Sequence, residues 1–275
     1  MEQVADLHCH TYFSDGVLSP EELLQKAVKH GIYAISITDH DTVDGCVAAH
    51  ELLDKYPVEL INGCEFSAHE GDREYHILGY ALDTDHEPLR KHLDDFRQSR
   101  FHRAEMIVEK LKKLDIHIDL DEVIEKAGVA PITRPHIAAV MLDERYVIDM
   151  KEAFIKYLGD DGPAFVKKQH YPVEDCIKLI NESGGIASLA HPGNTINQST
   201  LYKMIQHGLD GIEVIHPMHD ENLQKYYHSI ASQYWLLGTG GSDYHGNKEF
   251  DKANFGNFVV PYSVVESIRF HIGTR

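Results

Sequence analysis

Metal-ligating side chains are distributed along almost the whole of this 275-residue chain, in short motifs that mostly follow apolar runs. This distribution constrains the fold, because motifs near both ends of the sequence must meet if they serve one site. The set contains six histidines and three acids: His8, His10, Asp15, His40, Glu65, His76, His191, Asp243 and His245. Imidazole and carboxylate groups suit Mn²⁺, Fe²⁺ and Zn²⁺. Nine groups exceed the needs of one tetrahedral ion, so the sequence predicts two or three divalent metal ions at a hydrolytic site.

The apolar runs predict the secondary structure of the outer parts of the chain. Strands are predicted at 4–7, 33–37, 58–61, 76–80, 185–189, 211–215, 234–237 and 257–260. Helical stretches lie between them, and the first starts with Ser19 as N-cap, Pro20 in the first turn and Glu22 completing a capping box. Such alternation is typical of an α/β fold with parallel strands. Because the carboxyl ends of barrel strands converge on one face, a barrel is favoured over an open sheet.

The middle of the chain departs from this alternation. Apolar residues from Pro88 to Lys113 recur with helical spacing, and further short helices are predicted near 121–126, 135–142 and 151–157. We therefore predict two domains, which are a barrel formed by residues 1–95 and 169–275 and a helical insertion, or cap, formed by residues 96–168.

The charge of the chain limits the partners it can bind. A net charge of −18 is unfavourable for general binding to nucleic-acid backbone, so we expect no stable binding to duplex nucleic acid. Residues 96–168 contain equal numbers of acidic and basic side chains, so the predicted barrel carries the whole net charge. Excess acid is expected if divalent cations belong to the folded state. The neutral insertion is then the source of positive groups for an anionic substrate, with ordinary surface variation as the alternative.

The sequence also indicates a compartment. No apolar run approaches the roughly 20 residues of a membrane span. An apparent strand begins at Val4, which leaves no room for a signal peptide. The cysteines show no CxxC spacing and are too few for a disulfide framework: Cys9, Cys46, Cys64 and Cys176. We therefore expect a cytoplasmic protein without membrane association.

The first motif shows how spacing strengthens the metal prediction. His8 and His10 are two positions apart on a predicted strand, so their side chains share one face, and Asp15 approaches from the following loop. An isolated HxH pair is weak support for a metal site, because buried histidines with satisfied hydrogen bonds are common. The pair is far more specific when SDG and TDHDT motifs follow it. The structural alternative applies best to a single member such as His76.

These motifs resemble those of the PHP (polymerase and histidinol phosphatase) family over nearly the whole chain. The matching segments are Asp6-Leu-His8-Cys-His10, Ser14-Asp15-Gly16, Ile37-Thr38-Asp39-His40-Asp41, Gly63-Cys-Glu65, Leu189-Ala-His191-Pro-Gly193 and Gly241-Ser-Asp243-Tyr-His245. Three more segments are similar to family members that act on nucleotide 3′,5′-bisphosphates and on RNA 5′ ends: 133–138, 157–164 and 213–217. The resemblance implies a distorted (β/α)7 barrel with three metal ions and a helical insertion that caps the site.

The resemblance also implies a ligand set for each ion. The sets are His8, His10, Glu65 and Asp243 for the first ion, Glu65, His76 and His191 for the second, and Asp15, His40 and His245 for the third. Glu65 suits the shared position, because the two oxygens of a carboxylate can bind two cations. Asp39 and Asp41 flank a ligand and are expected to orient ligands or to cap helices rather than to bind metal.

The resemblance further implies a mechanism and a substrate site. A hydroxide that bridges two ions is expected to attack phosphorus, with His191, Asp243 and His216 as catalytic residues. Either His216 or a metal-bound water is the expected general acid. The predicted substrate-binding residues are Arg134, His136, Lys167 and Lys168.

Arg134 is the strongest of these substrate-binding candidates, because guanidinium recognises phosphate with two hydrogen bonds and a helix N-terminus is predicted beside it. For Lys167 and Lys168 a surface position is the alternative, since related phosphoesterases have Pro-Arg there. The segment 159–162, Gly-Asp-Asp-Gly, is also more acidic than the Gly-Arg-Gly of those relatives. The stripe of Arg97, Arg100 and Arg103 is either solvated or faces phosphate.

We therefore expect a metal-dependent phosphoesterase that acts on a small nucleotide or a short oligonucleotide. The expected reactions are removal of the 3′-phosphate from a nucleoside 3′,5′-bisphosphate and stepwise trimming of short 5′-phosphorylated RNA. One alternative is a histidinol-phosphate phosphatase, against which the helical insertion argues. Another is a non-catalytic PHP module, against which the complete ligand set argues. Hydrolysis of a C–N bond would leave Arg134 without a purpose. The sequence does not define the oligomeric state.

Overall fold

The computed structural model describes residues 3–194, 196–246 and 251–274. Its internal contacts divide the chain into two compact units. The first, here called the barrel unit, comprises residues 1–90 and 170–275, and the second, called the helical unit, comprises residues 91–169. The boundaries predicted from the sequence, at residues 96 and 168, are not tested by this grouping of contacts and stay a prediction.

The strands of the barrel unit form one eight-stranded sheet in the order β7-β6-β5-β4-β3-β2-β1-β8. Their bounds are β1 Val4–Cys9, β2 Ala34–Ile37, β3 Glu59–Glu70, β4 Arg73–Tyr80, β5 Ile186–Leu189, β6 Gly211–Ile215, β7 Leu237–Gly240 and β8 Val260–Pro261. Sequence order and spatial order agree from β1 to β7, so consecutive strands are neighbours, as expected for a barrel-type sheet.

The helices of the described residues alternate with these strands, except in the middle of the chain. They are α1 Pro20–Lys29, α2 Asp44–His50, α3 Glu87–Lys112, α4 Leu120–Ala127, α5 Arg134–Asp143, α6 Met150–Ala153, α7 Val173–Glu182, α8 Gln198–Gln206, α9 Glu221–Tyr234 and α10 Ser263–Gly273. A π-helical turn, Phe154–Leu158, follows α6. Within the described ranges, no helix is both long enough and apolar enough to cross a bilayer.

The first and last strands come close to closing the sheet. The start of β1 pairs with β8, with Val4 opposite Pro261. The end of β1 lies beside the segment that follows β7, because Cys9 forms a parallel bridge with Tyr244. The amide N–H of His10 donates to the carbonyl of Tyr244 at 2.9 Å. The result is a nearly closed barrel in which the end of β7 returns to β1.

The expectation of parallel strands holds for most of the sheet but not for β4, which runs antiparallel to both β3 and β5. β3 continues to Glu70 and is joined to β4 through Gly71 and Asp72 alone, with Gly71 at a φ of 64°. A connection of two residues can join only antiparallel strands. β8 is likewise antiparallel to β1.

Helix α1 illustrates how local sequence builds the barrel unit. The Ser19 hydroxyl accepts the N–H of Glu22 at 3.1 Å, and the Glu22 carboxylate accepts the N–H of Ser19 at 2.8 Å. This is the predicted capping box, and it satisfies two amides that the helix itself cannot pair. On the other side of α1, Leu23, Leu24 and Ala27 are fully buried in the core beside β2. Burial of each leucine contributes roughly 1.5–3 kcal/mol.

The helical unit has its own core, which is built from α3, α4, α5, α6 and the π-helical turn. Its fully buried members include Ile107, Leu111, Val123, Ile137 and Met141. The observed helices match the predicted ones closely, since helical periodicity marks apolar faces of this kind.

Candidate metal centre

All nine predicted ligand residues lie in the barrel unit, at or just beyond strand ends or within β3 and β4. The structure brings eight of them together into three overlapping groups, and within each group the ligand atoms lie within 4.8 Å of one another. The groups are His10, Asp15, His40 and His245; His8, His10, Glu65 and Asp243; and His40, Glu65 and His76. The ninth, His191, contacts the cluster through Glu65, and a further group of this kind contains His8, Glu213 and His216. Residues from opposite ends of the sequence therefore meet in one cluster, as the convergence of barrel strands requires.

Glu65 lies at the centre of this cluster. Its Oε1 atom is 2.8 Å from Nδ1 of His76 and 2.8 Å from Nε2 of His191. Its Oε2 atom is 3.2 Å from Nε2 of both His8 and His10. The two oxygens of one buried carboxylate therefore face two different sets of histidines, which is the arrangement expected of a residue shared by two ions.

The other two acids complete the first and third sets. Asp243 places Oδ1 3.3 Å from Nε2 of both His8 and His10. Asp15 places Oδ1 3.2 Å from Nε2 of His245. The Asp15 side chain remains about half exposed, at 48%. The third set therefore lies nearer to solvent than the buried pair of His8 and His10.

Two ring nitrogens test whether these residues fit metal ions. Nε2 of His10 and Nδ1 of His40 are buried and make no hydrogen bond. A buried polar atom without a partner costs free energy, and such atoms are rare in proteins. Both nitrogens nevertheless face the Glu65 carboxylate, at 3.2 and 3.3 Å. Divalent cations would satisfy them, whereas an ordinary hydrogen-bonded histidine cluster leaves them unexplained, so the donor set fits metal.

Electrostatic interactions within the cluster outweigh burial at His10, His76 and Glu65, whereas burial prevails at His40. Burial alone would lower the pKa of His10, but Asp243 and Glu65 raise it to about 10. Burial acts likewise on His76, and Glu65 raises that pKa to about 10. The pKa of His40 falls to about 4, mainly through burial. Burial would raise the pKa of Glu65, but the surrounding histidines hold it well below its usual value. Protons and metal cations therefore compete for these groups.

Backbone strain occurs at two of the predicted ligands. His191, after β5, has a φ of 24°, and Asp243, after β7, has a φ of 49°. Non-glycine residues at positive φ cost about 1–3 kcal/mol each and persist only where surrounding structure fixes them. These sharp turns occur where the chain leaves a strand and delivers a ligand to the cluster.

The two aspartates beside His40 make hydrogen bonds away from the ligand atoms. Asp39 Oδ1 accepts the Thr11 amide and the Ser14 hydroxyl, both at 2.7 Å, and so holds the loop after β1. Asp41 accepts both the amide and the hydroxyl of Ser67. Neither residue caps α2, whose N-cap is Val43, so the capping alternative is wrong. Support of neighbouring ligand segments is the arrangement observed.

His216 is buried beside the predicted first set. Its Nε2 lies 3.3 Å from Asp243 Oδ2, and its Nδ1 accepts the amide N–H of Met218 at 3.0 Å. A ring nitrogen that accepts a hydrogen bond carries no proton, so neutral His216 carries its proton on Nε2, facing Asp243. Its role as a general acid stays a prediction.

The predicted substrate-binding residues lie in the helical unit. Arg134 is the first residue of α5, and its Nη1 donates to the Leu158 carbonyl at 2.9 Å and to Asp160 Oδ1 at 2.8 Å. His136 accepts the Thr133 amide at 3.1 Å through Nδ1 and so caps the start of the helix. The candidate phosphate-binding guanidinium is therefore paired with Asp160, one of the two acids of the segment 159–162.

The remaining basic candidates of the helical unit contact neighbouring groups or solvent. Lys168 places Nζ 5.6 Å from the centre of the Phe96 ring. Lys167 is exposed. Arg97 and Arg103 donate to the carbonyls of Val129 and Val166, so these members of the arginine stripe are partly engaged with the unit's own backbone. Their roles toward phosphate remain predictions.

Sequence reasoning assigned no role to several acids that contact the predicted ligand residues, among them Glu213, Glu74 and Asp251, whose Oδ2 accepts the His245 amide at 3.1 Å. Glu213 is fully buried on β6, with Oε1 3.0 Å from Nδ1 of His8 and Oε2 2.7 Å from the His191 amide. Glu74 places Oε1 3.3 Å from Nε2 of His76. A signal for Glu213 was present, because an acid in the apolar strand run 211–215 requires a buried partner.

A nearly closed α/β barrel with a histidine and carboxylate cluster at its strand ends defines a metal-dependent hydrolase. The family model of the PHP domain matches residues 6–238. The chain therefore belongs to the PHP family. The prediction of a phosphoric ester hydrolase of this family is confirmed.

Several characterised proteins are similar to the chain over most of its length. It is 32% identical to the 5′-3′ exoribonuclease Rnm of Escherichia coli, covering 88% of this chain and 85% of that protein. It is 30% identical to the 3′,5′-nucleoside bisphosphate phosphatase of Chromobacterium violaceum, covering 89% and 88%. It is 29% identical to the phosphoribosyl 1,2-cyclic phosphate 1,2-diphosphodiesterase of Eggerthella lenta, covering 94% and 99%.

A solved structure is also similar to the whole chain. A Bifidobacterium adolescentis protein assigned as a metal-dependent phosphoesterase superposes with a TM-score of 0.84 at 30% identity, covering 97% of this chain and 95% of that one. The predicted PHP-type α/β barrel is thereby confirmed.

Proposed function

We propose that this PHP-family enzyme hydrolyses phosphate esters of nucleotides with two or three divalent ions. The proposed reactions are removal of the 3′-phosphate from nucleoside 3′,5′-bisphosphates and, by the same chemistry, hydrolysis of short 5′-phosphorylated RNA. The observation that carries the proposal is the placement of five predicted ligand histidines within 3.3 Å of the two oxygens of Glu65, namely His8, His10, His40, His76 and His191. The named activities of the C. violaceum and E. coli relatives support a nucleotide as substrate.

Bound divalent ions would supply Lewis acidity that activates water and neutralises charge on the phosphoryl group. The chain's own contribution is to hold the ligating side chains in position. Glu65 is oriented by His76 and His191 on one oxygen, while its other oxygen faces His8 and His10. Nitrogen and oxygen donors in one cluster suit Mn²⁺, Fe²⁺ and Zn²⁺ alike.

The proposal gives His216 a role in orienting Asp243 and in proton transfer at the site. With Nδ1 accepting from Met218, the ring presents a single N–H on Nε2, beside Asp243. That N–H donates a hydrogen bond to Asp243 and so holds the carboxylate for its role as ligand. The leaving alkoxide requires a proton as it departs. His216 can supply it only from a doubly protonated ring, which cannot at the same time accept from Met218 on Nδ1; otherwise the proton comes from bound water.

The proposal assigns Arg134 to a phosphate of the substrate. The guanidinium is only partly exposed and already accommodates one carboxylate, that of Asp160. A phosphate group offers the same kind of acceptor oxygens with greater charge. Its pairing with Asp160 means that a substrate phosphate must compete with an internal anion.

The E. lenta relative favours a second candidate substrate, because the similarity between the two proteins covers 94% of this chain and 99% of the relative. Hydrolysis of a cyclic phosphate diester of a phosphorylated sugar requires the same attack on phosphorus.

The cytoplasmic location proposed for the enzyme is supported by four buried cysteines that form no disulfide in the described structure.

The test measures product formation by protein that has been stripped with chelator and reloaded with Mn²⁺, as inorganic phosphate from the phosphomonoesters and as phosphomonoester products, separated by chromatography, from the RNA and the cyclic phosphate. The substrates are adenosine 3′,5′-bisphosphate, a 5′-phosphorylated oligoribonucleotide, phosphoribosyl 1,2-cyclic phosphate and histidinol phosphate. We expect fast release from the bisphosphate, abolished in His191→Ala and weakened in Arg134→Ala. Lys151→Ala, which alters an exposed lysine of the helical unit, is the control.

Each other outcome changes the proposal in a defined way. Preference for the cyclic phosphate or for histidinol phosphate would contradict the nucleotide assignment while retaining the metal chemistry. No turnover of any substrate by metal-loaded protein would favour the non-catalytic module.

A further inference from the structure

We infer that Glu213 is a positioning residue that fixes the ring of His8 and the backbone of His191, and thereby couples the first two metal positions. The inference rests on the metal centre of the proposed function but not on the identity of its substrate. It concerns a residue that belongs to none of the three predicted ligand sets.

The contact with His8 determines which ring nitrogen is available to a metal ion. Glu213 Oε1 lies 3.0 Å from Nδ1 of His8, and both side chains are fully buried. A carboxylate only accepts hydrogen bonds, so Nδ1 must carry a proton. Nε2 is then the ligating atom, and it is the atom that lies 3.2 Å from Glu65 and 3.3 Å from Asp243.

The surroundings of Glu213 support this assignment. Each of its oxygens lies against a donor, the His8 ring at Oε1 and the His191 amide at Oε2, and the side chain is fully buried. Glu213 therefore offers two acceptor oxygens in a place from which water is excluded.

The second oxygen of Glu213 stabilises a strained turn. Oε2 accepts the amide N–H of His191 at 2.7 Å. His191 has a φ of 24°, which costs about 1–3 kcal/mol for a residue with a side chain. A hydrogen bond to a charged acceptor is among the stronger ones in proteins and offsets part of that strain. In this conformation Nε2 of His191 lies 2.8 Å from Glu65 Oε1.

Glu213 thus joins a ligand of the first ion to a ligand of the second. Glu74 makes a comparable contact with His76, but through one oxygen at 3.3 Å and with its side chain 38% exposed. Pairs of carboxylate and histidine raise the basicity of metal-ligating rings and fix their orientation, and their loss typically costs about 10–100-fold in metal affinity. Glu213 should be the more important of the two, because it is buried and holds two ligand residues.

The test substitutes Glu213→Gln and measures zinc affinity by competition with a chelating indicator. Glutamine has the same shape but only one acceptor oxygen, so it cannot accept from both the His8 ring and the His191 amide. We expect zinc affinity to fall by about 10–100-fold. ¹⁵N NMR of zinc-loaded, histidine-labelled protein should also show loss of the protected Nδ1–H of His8.

Glu221→Gln is the matched control, because Glu221 is an exposed carboxylate at the start of α9. It should retain wild-type affinity and the wild-type NMR signal. The inference is overturned if Glu213→Gln folds and binds zinc as tightly as wild type and this control. If Glu213→Gln does not fold, zinc affinity and the NMR signal of His8 are measured for Glu213→Asp instead. A loss of both supports the inference, and wild-type values overturn it. Failure of every substrate assay would count against the proposed function, whereas the zinc measurement would still decide the role of Glu213.

Discussion

Individual residues of the centre are explained by the partners that surround them. His10 and His40 each present a buried ring nitrogen without a hydrogen bond, and both nitrogens face Glu65. Glu65 in turn distributes its two oxygens between two sets of histidines. This pattern is difficult to explain by structural hydrogen bonding and follows directly if the residues bind cations.

At the same scale, the Arg134–Asp160 pair gives a prediction about substrate affinity. The Asp160 side chain is 79% exposed, so the pair should contribute at most about 1 kcal/mol to stability. If Arg134 binds a substrate phosphate, Asp160→Asn should lower the KM for adenosine 3′,5′-bisphosphate by up to about fivefold. The value of kcat should stay unchanged, and Tm should fall by at most about 4 °C. Steady-state kinetics check this, with Asp161→Asn as control, and an unchanged or higher KM would argue against Arg134 as a phosphate ligand.

Strand and helix geometry explains how the ligands are delivered. The segment after β7 must approach β1 closely, and Gly241 makes this approach possible. A Cβ atom at position 241 would lie 2.4 Å from the His8 amide nitrogen and 2.8 Å from Asp6 Oδ1. The Asp6 carboxylate also accepts the Ser242 amide at 2.9 Å, so this contact ties Asp243 to the strand of His8.

Gly241→Ala should therefore destabilise the barrel and displace two ligands together. Overpacking of this kind costs about 1–3 kcal/mol. Urea denaturation of metal-free protein measures the loss, and zinc titration measures the effect on the ligands. Gly273→Ala is the control, because no atom lies within 4 Å of its added Cβ and alanine favours a helix. Equal stability of the two variants would show that the close approach at Gly241 is unimportant.

The elements also show what the sequence could and could not predict. The clustering of these histidines and acids was predictable because imidazole and carboxylate groups at the ends of apolar runs are costly unless they bind something. The β3–β4 hairpin was not predicted, because Glu65 and Ser67 interrupt the apolar pattern of β3 although both are buried. The strand predicted at 234–237 is instead the end of α9 and a turn, with Trp235 in a left-handed conformation and 91% exposed. β7 therefore begins only at Leu237.

Glu213 was missed for a related reason. A single acid within an apolar run is compatible with a strand of any orientation, and its partners, His8 and His191, are distant in sequence. Only the three-dimensional structure reveals which groups satisfy it.

For the whole molecule, the cluster makes stability depend on both pH and metal. The pKa values of His10 and His76 rise to about 10 in the folded, metal-free protein, above the value of about 6.5 in the unfolded chain. Protonation of these residues therefore stabilises the fold fully below pH 6.5, and this stabilisation is lost as the pH rises towards 10. The pKa of His40 is lowered to about 4, so protonation of this residue favours the unfolded chain. This effect reduces the stability of the fold only below pH 6.5.

Metal ions must displace the same protons, so metal binding strengthens over the same range of pH. We predict that the difference in Tm between zinc-loaded and chelator-stripped protein widens as the pH rises from 6.5 towards 10. Differential scanning calorimetry at fixed free zinc measures it. A difference that stays constant with pH would contradict the competition between protons and cations.

The most direct test of the account is the effect of Glu65→Gln on metal content and phosphate release. Glutamine retains the shape of Glu65 but removes the charge and one of the two oxygens that face the two ligand sets. Elemental analysis should find two or three ions per wild-type chain, and the variant should lose ions together with hydrolysis of adenosine 3′,5′-bisphosphate, while its fold remains intact by circular dichroism. A variant with the metal content and rate of the wild type would contradict a metal centre organised around Glu65.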